Sequence, residues 1–313
     1  MKGLEISKRF FEEFGKPMLE NEFADILPFL AAGLIGEGSE CFAFDDETSR
    51  DHDFEAGFCL FLPDEKTIDR RTAFLLERAY SKLPKEFMGL RRSLLSPVGG
   101  NRKGVIRLDD FFLNKIGSPD GDLSVEQWLT IPQQSLAEAT NGEIYFDNYG
   151  SLTQIREKIK YYPEDIRKKK LAGNLLIMAQ SGQYNYKRCL SHGETAAAQL
   201  AVCEFVKSAM NVIFLLNKKY MPYYKWGFRS LRQLELLSIE AEIFEFLLTS
   251  SNDDEMAEEK YYSIESTASD IIEELQNQSL TKAICSDLEK HAYSINDTIE
   301  NSEIRNLHIL SAI

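Results

Sequence analysis

No two of the five cysteines form a CxxC pair; they fall at positions 41, 59, 189, 203 and 285. An odd, scattered set excludes a zinc ribbon or a disulfide framework, and it reads as the reduced thiols of a cytoplasmic protein. Histidine is scarcer still, with four residues and no two at the spacing of metal ligands. No GK[ST] follows a glycine run, which excludes a P-loop. Positive charge is also short. Thirty-six Lys/Arg against fifty Asp/Glu leave a net charge of −14, which argues against a nucleic-acid partner. Long uncharged runs are missing too. The first residues, MKGLEISKRFFEEFGK, lack the apolar core of a signal peptide. The most apolar stretch, Ala196 to Asn217, contains Glu204 and Lys207, so no membrane span or membrane partner is expected.

What is present is enough apolar material for a core, 43% of 313 residues. The first half mixes short apolar runs with glycine and turn residues. Phe23 to Leu30 reads as the end of a helix, and Ala31 to Gly36 as a short buried strand. Asp53 to Pro63 reads as a second strand, Asp69 to Leu83 as a helix, Gly104 to Leu108 and Gly142 to Phe146 as further strands. From about Ser151 helical periodicity takes over, through Ile155–Ile159, Ile166–Met178, Ala196–Asn217, Leu231–Leu248, Tyr262–Gln276 and Leu280–Ile299. The fold class expected is α+β: a small mixed-sheet domain over 1–150, then an α-helical bundle over 151–313, with the boundary at the DNYGS turn.

The net charge conceals an asymmetry. Residues 151–232 hold fifteen Lys/Arg and five Asp/Glu, a local net of +10, which would draw a polyanionic ligand such as a triphosphate. Within that region lysines 168 to 170 read as an exposed helix face. Asn252 to Glu274 carries nine acids and one lysine. Its start reads as an exposed loop, dispensable for chemistry.

One stretch invites a chemical reading: GEGSECFAFDDETSRDHDFEAGF, Gly36 to Phe58. A Gly-Ser pair at the end of a buried strand allows close backbone approach, and the N–H groups of such a turn can cradle phosphate oxygens. Eleven residues separate Ser39 from Asp51, enough for the chain to return as a neighbouring strand. On that strand Asp51 and Asp53 would share a face, with His52 on the other. Two carboxylates beside a phosphate-gripping turn are what magnesium-dependent phosphoryl or nucleotidyl transfer requires. An EF-hand fails on spacing, since Arg50 and Ala56 stand where glycine and glutamate are needed. The alternative is that Asp45, Asp46, Asp51 and Asp53 are turn residues only.

LIGEGSECFAFDDETSRDHDF resembles the Gly-Ser, spacer, Asp-x-Asp signature of the polymerase-beta-like nucleotidyltransferase superfamily, which includes aminoglycoside nucleotidyltransferases. The chain is more closely similar to an uncharacterised bacterial family of nucleotidyltransferase-like proteins. That family has segments like GEIYFDNYGSLTQIREKIKYYPEDI, AQSGQYNYKR and YMPYYKW, and the likeness runs from about Leu27 to Leu234. The resemblance implies a catalytic nucleotidyltransferase-like domain followed by a helical substrate-binding domain. It implies that Gly38 and Ser39 hold the triphosphate and that Asp51 and Asp53 ligate Mg²⁺, in a two-metal site. A third carboxylate is usual in the superfamily, but GVIRL contains no acid. Asp109 follows directly and serves either as that carboxylate or as a helix N-cap, with Asp147 and Glu143 behind it.

In the helical half, Lys225 stands among Tyr223, Tyr224, Trp226 and Phe228, where aromatics around a lysine either stack on a base or form a packed corner. Tyr184, Lys187, Arg188 and Glu194 are close in sequence. Lys187 and Arg188 are candidates for the nucleotide, and Glu194 for the base at the acceptor hydroxyl. His52 and His192 read as hydrogen-bonded structural histidines. The expected activity is transfer of a nucleoside monophosphate, AMP, from ATP or another NTP to a hydroxyl of a small-molecule acceptor. The alternatives are nucleotidylation of a protein side chain, or an inactive nucleotide-binding or interaction protein of the same fold.

Overall fold

The computed structural model describes residues 1–47, 55–92 and 102–313. In chain order the elements are α1 (Gly3–Phe10), α2 (Lys16–Glu22), β1 (Ala31–Leu34), β2 (Cys59–Leu62), α3 (Arg70–Lys82), β3 (Glu86–Phe87), β4 (Leu90–Arg91), β5 (Gly104–Arg107) and α4 (Leu108–Ile116). Then come α5 (Val125–Thr130), α6 (Gln133–Thr140), β6 (Glu143–Asp147), α7 (Ser151–Lys158), α8 (Glu164–Met178), α9 (Tyr186–Ser191) and α10 (Thr195–Leu216). The chain closes with α11 (Tyr224–Leu231), α12 (Glu240–Thr249), α13 (Asp254–Asn277), α14 (Leu288–Asp297) and α15 (Ser302–Asn306). The fold is mixed α+β, a small mixed sheet plus a helical region.

Two compact units divide the chain. The first comprises Met1–Leu123 and Ser135–Lys160, the second Ser124–Gln134 and Tyr161–Ile313. The turn at 148–150 thus lies inside the first unit. Asp147 accepts from the N–H groups of Gly150 (2.9 Å) and Thr153 (2.8 Å), which starts α7 against β6.

In the first unit the sheet order is β5-β2-β1-β6. β1 lies antiparallel to β2 and β6, and β5 runs parallel to β2. Alternation sets the two faces. Leu60, Leu62 and Ala32 join Phe10, Phe58, Leu76 and Tyr80 in the core under α1 and α3. Phe61 points the other way, its ring 5.3 Å from that of Phe111 on α4. The expected strand from Asp53 is shorter where it is described. Glu55 to Phe58 are not strand, and the Phe58 backbone is held by the buried Tyr80 hydroxyl at 3.1 and 2.8 Å. The helix end expected at Phe23–Leu30 is instead a stop at Glu22 and a 3₁₀ turn at Leu27–Phe29, with Pro28 inside it.

In the second unit α8 and α10 pack on each other, with α14 also against α8. α10 is the one helix among the described residues long and apolar enough to cross a membrane, yet Val202, Phe205, Val206, Ala209, Ile213 and Phe214 are all buried in this unit. Lysines 168 to 170 are not an exposed face. Lys169 and Lys170 are buried, and Lys168 donates to the Thr298 carbonyl at 3.0 Å. The acidic segment is not a loop from 252 to 261 either. Asp253 caps α13 by accepting from Met256 N–H, and Asn252 ties Tyr186, Gln199 and Lys260 together. AQSGQYN forms a π-helical turn, Ala179–Asn185. A Cβ on Gly182 would stand 2.4 Å from Phe205, so glycine there lets two helices approach.

Candidate functional site

The site grows from the end of β1. Gly36 (φ 116°) and Gly38 (φ 109°) both adopt the left-handed backbone that side chains disfavour, so the strand leaves the sheet through a turn only glycine makes without strain. Gly36 N–H donates to Asn141 Oδ1 (2.9 Å), and Asn141 Nδ2 donates to Gly36 O (2.8 Å). Arg156 in turn donates to the carbonyls of Thr140 and Asn141. A short 3₁₀ turn, Ser39–Phe42, follows. Among the described residues, the backbone N–H groups of Glu37, Gly38, Ser39 and Glu40 have no acceptor.

A cavity of about 550 Å³ opens beside this turn, walled by Gly36, Glu37, Arg102, Asp110, Phe111 and Lys115 among others. Lys115 reaches Glu37 (2.5 Å) and Glu138 (2.6 Å), and Arg102 lies 3.5 Å from Glu37. The Lys115 ammonium, helped by Arg102, holds the Glu37 carboxyl below its ordinary range. Behind the turn, Lys103 and Glu40 form a buried ion pair at 3.2 Å, and Lys103 also donates to Glu55 O at 2.9 Å. Burial pushes both nearby thiols up, Cys59 to about 11 and Cys41 well above its ordinary value, which makes them inert at neutral pH.

Gly38 and Ser39 sit in the turn as expected. Asp51, His52 and Asp53 lie outside the described residues. Asp109 is neither the N-cap nor part of the cavity wall. Arg107 occupies the cap position, and Asp109 is exposed in the first turn of α4, accepting from Asp110 N–H. Its neighbour Asp110 lines the cavity instead, and so does Glu77 on α3. Neither carboxylate has a partner among the described residues. Glu143 is paired with Lys8 at 2.6 Å, and Asp147 is used in the α7 cap. Among the described residues no three His, Cys, Asp or Glu side chains cluster in the manner of a metal site.

In the second unit the candidates are separately engaged. Lys187 sits 3.5 Å above the Tyr261 ring and 3.8 Å from Glu258, while Arg188 donates to the Tyr184 hydroxyl at 3.0 Å. Lys225 is exposed, 5.0 Å over Trp226. Glu194 occupies the N-cap position of α10, exposed and making no capping bond. His192 is exposed and its ring makes no hydrogen bond among the described residues. Among the described residues the buried histidine is His291, held by Thr281 (3.0 Å) and Cys285 O (2.7 Å).

Sequence reasoning missed Asn141, Asp110, Arg102 and Lys115. Only Asp110 left a signal, as the second acid after the strand GVIRL.

Residues 128–227 match a family model described as a domain of unknown function (DUF4037), a segment that takes in Ser135–Lys160 of the first unit and parts of the second. No curated protein and no solved structure matches the chain.

Proposed function

We propose that this chain is a Mg²⁺-dependent nucleotidyltransferase that moves AMP from ATP to a hydroxyl of a small-molecule acceptor and releases pyrophosphate. The observation that carries the reading is the run of N–H groups from Glu37 to Glu40 with no acceptor among the described residues, next to a cavity that Gly36 and Glu37 line and whose wall carries cations. Successive free N–H groups in a glycine turn form an anion-binding concavity, and the volume suits a small ligand. Arg102 and Lys115 bring positive charge to that wall, while Phe111 offers an apolar surface. Asp51 and Asp53 would hold Mg²⁺, with Asp110 as the third carboxylate, since hard carboxylate oxygens suit that ion. When bound, the ion would neutralise charge on the phosphates and help ionise the attacking hydroxyl. A small acceptor follows from the net charge of −14, which disfavours nucleic acid. The cytoplasm follows from the unpaired cysteines.

The test is pyrophosphate release from ATP and Mg²⁺ across a panel of small hydroxyl compounds, with intact-mass analysis of the products. Asp51→Asn and Asp53→Asn should each abolish release while circular dichroism stays unchanged. Near-normal turnover in both variants with the same metal dependence sinks the assignment. ATP binding with no release of pyrophosphate on any acceptor would make the chain a nucleotide-binding protein.

A further inference from the structure

Three lysines of the second unit are buried, and two of them are saturated. An ammonium has three N–H donors. Lys169 uses its donors on Asn296 Oδ1 (2.9 Å), Arg305 O (3.3 Å) and Leu307 O (2.6 Å). Lys260 uses its donors on Gln199 (2.7 Å), Ser250 O (2.9 Å) and Asn252 (3.0 Å). Lys170, 6% exposed, has two acceptors, Leu129 O (2.8 Å) and Ala312 O (3.2 Å), lies 5.2 Å from the centre of the Tyr162 ring, and has no carboxylate among the described residues. It also lines a cavity of about 460 Å³. Burial pushes its pKa down to about 8, so the ammonium stays largely charged at neutral pH.

A relay of side-chain amides shares this wall. Met221 N–H donates to Gln133 Oε1 (3.1 Å), and Gln133 Nε2 donates to Asn211 Oδ1 (3.1 Å). Asn211 Nδ2 then donates to Asn174 Oδ1 (3.2 Å), and Asn174 Nδ2 to Lys170 O (2.8 Å). A backbone N–H at one end and a backbone carbonyl at the other fix the direction of every amide. Each NH₂ group therefore keeps one N–H unused by the relay. Lys207 stands on the same wall, exposed and with no ion pair among the described residues. Among the described residues no Asp or Glu side chain lines the cavity.

The geometry points to a binding site in this cavity for a small molecule bearing an oxyanion, a phosphate or a carboxylate. The wall offers donors and positive charge in a chain whose net charge is −14. An oxyanion would supply the counter-charge that Lys170 lacks among the described residues, which is the usual condition for a buried ammonium. Most of the wall falls within residues 128–227, the segment that matches a family model. The inference does not rest on the nucleotide reading, which concerns the first unit.

The experiment is titration of the ¹⁵N-labelled full chain with inorganic phosphate and, separately, with succinate. The side-chain amide resonances of Asn174 and Asn211 should shift with at least one of the two, while those of Asn148 in the first unit stay fixed. The responding anion names the source, phosphate or carboxylate. Lys207→Glu, an exposed change that leaves the fold intact, should weaken that binding about tenfold. Lys170→Met should abolish it, and circular dichroism checks that this variant has folded. If neither anion moves the two asparagine amides, or if Lys207→Glu binds as tightly as the parent, the site does not exist.

Discussion

Asn141 clasps Gly36 through both of its peptide groups, accepting from the N–H at 2.9 Å and donating to the carbonyl at 2.8 Å. The two residues are 105 positions apart, so the loop before β6 fixes the turn after β1. Asn141→Ala should therefore loosen the turn without opening the sheet. The expected loss is about 1–3 kcal/mol in urea denaturation, for two part-buried hydrogen bonds and the groups left behind. Under the nucleotidyltransferase reading, ATP affinity should fall further than stability does. An unchanged midpoint would show that the clasp holds nothing.

Asp109 and Asp110 are adjacent, exposed and both in the first turn of α4, yet only Asp110 reaches the cavity wall. Asn at either position should alter stability by less than about 0.5 kcal/mol. Under the nucleotidyltransferase reading, Asp110→Asn should lower pyrophosphate release about a hundredfold, with Asp109→Asn near the parent rate. Equal turnover in the two variants would remove Asp110 from the site.

This pair also shows what the sequence could tell and where it stopped. Short apolar runs made β1, β5 and β6 legible, and the glycines at 36 and 38 announced a special turn. Helical neighbours differ by about 100° in direction, so choosing 109 over 110 required knowing where α4 begins. Arg107, without a capping side chain, gave no sign of that start. Asn141, Arg102 and Lys115 were invisible because their roles come from long-range contacts. Lys169 and Lys170 misled for the same reason: carbonyls from α15 and the residues after it, more than a hundred positions on, help two ammoniums to be buried.

The Lys103–Glu40 pair lies behind the turn with both side chains more than nine-tenths buried. Lys103→Met keeps the apolar stem but leaves a carboxylate alone in the interior. The expected cost is about 3–5 kcal/mol. Lys103→Met combined with Glu40→Gln should recover much of it, because no uncompensated charge remains. A double variant as unstable as the single one would contradict this account.

Replacing Ser251–Glu258 by a Gly/Ser linker should unfold part of the second unit. The change deletes the Asp253 cap, and it removes Asn252 from Tyr186, Gln199 and the buried Lys260. Loss of the cap alone costs about 1 kcal/mol, and an under-satisfied buried ammonium costs more. Calorimetry should show a lowered or split transition. A melting profile matching the parent would restore the reading of this stretch as a free loop.

Glu240 is wholly buried beside Asp270, with Oε2 accepting from the Thr267 hydroxyl at 2.5 Å and Oε1 bonded within hydrogen-bond geometry to none of the described residues. Burial, with the negative charge of Asp270 adding to it, pushes its pKa up to about 7 from 4.5, against the opposing Thr267 bond. The folded chain therefore holds a proton that the unfolded chain has released between those two values. Stability from this group is full below about pH 4.5 and is lost as pH rises through about 7. Glu240→Gln keeps the shape and cannot ionise. Its stability relative to the parent should thus rise by a few kcal/mol between about pH 5 and about pH 8, measured by urea denaturation. A difference that stays flat over that range would mean that Glu240 titrates as an ordinary carboxyl.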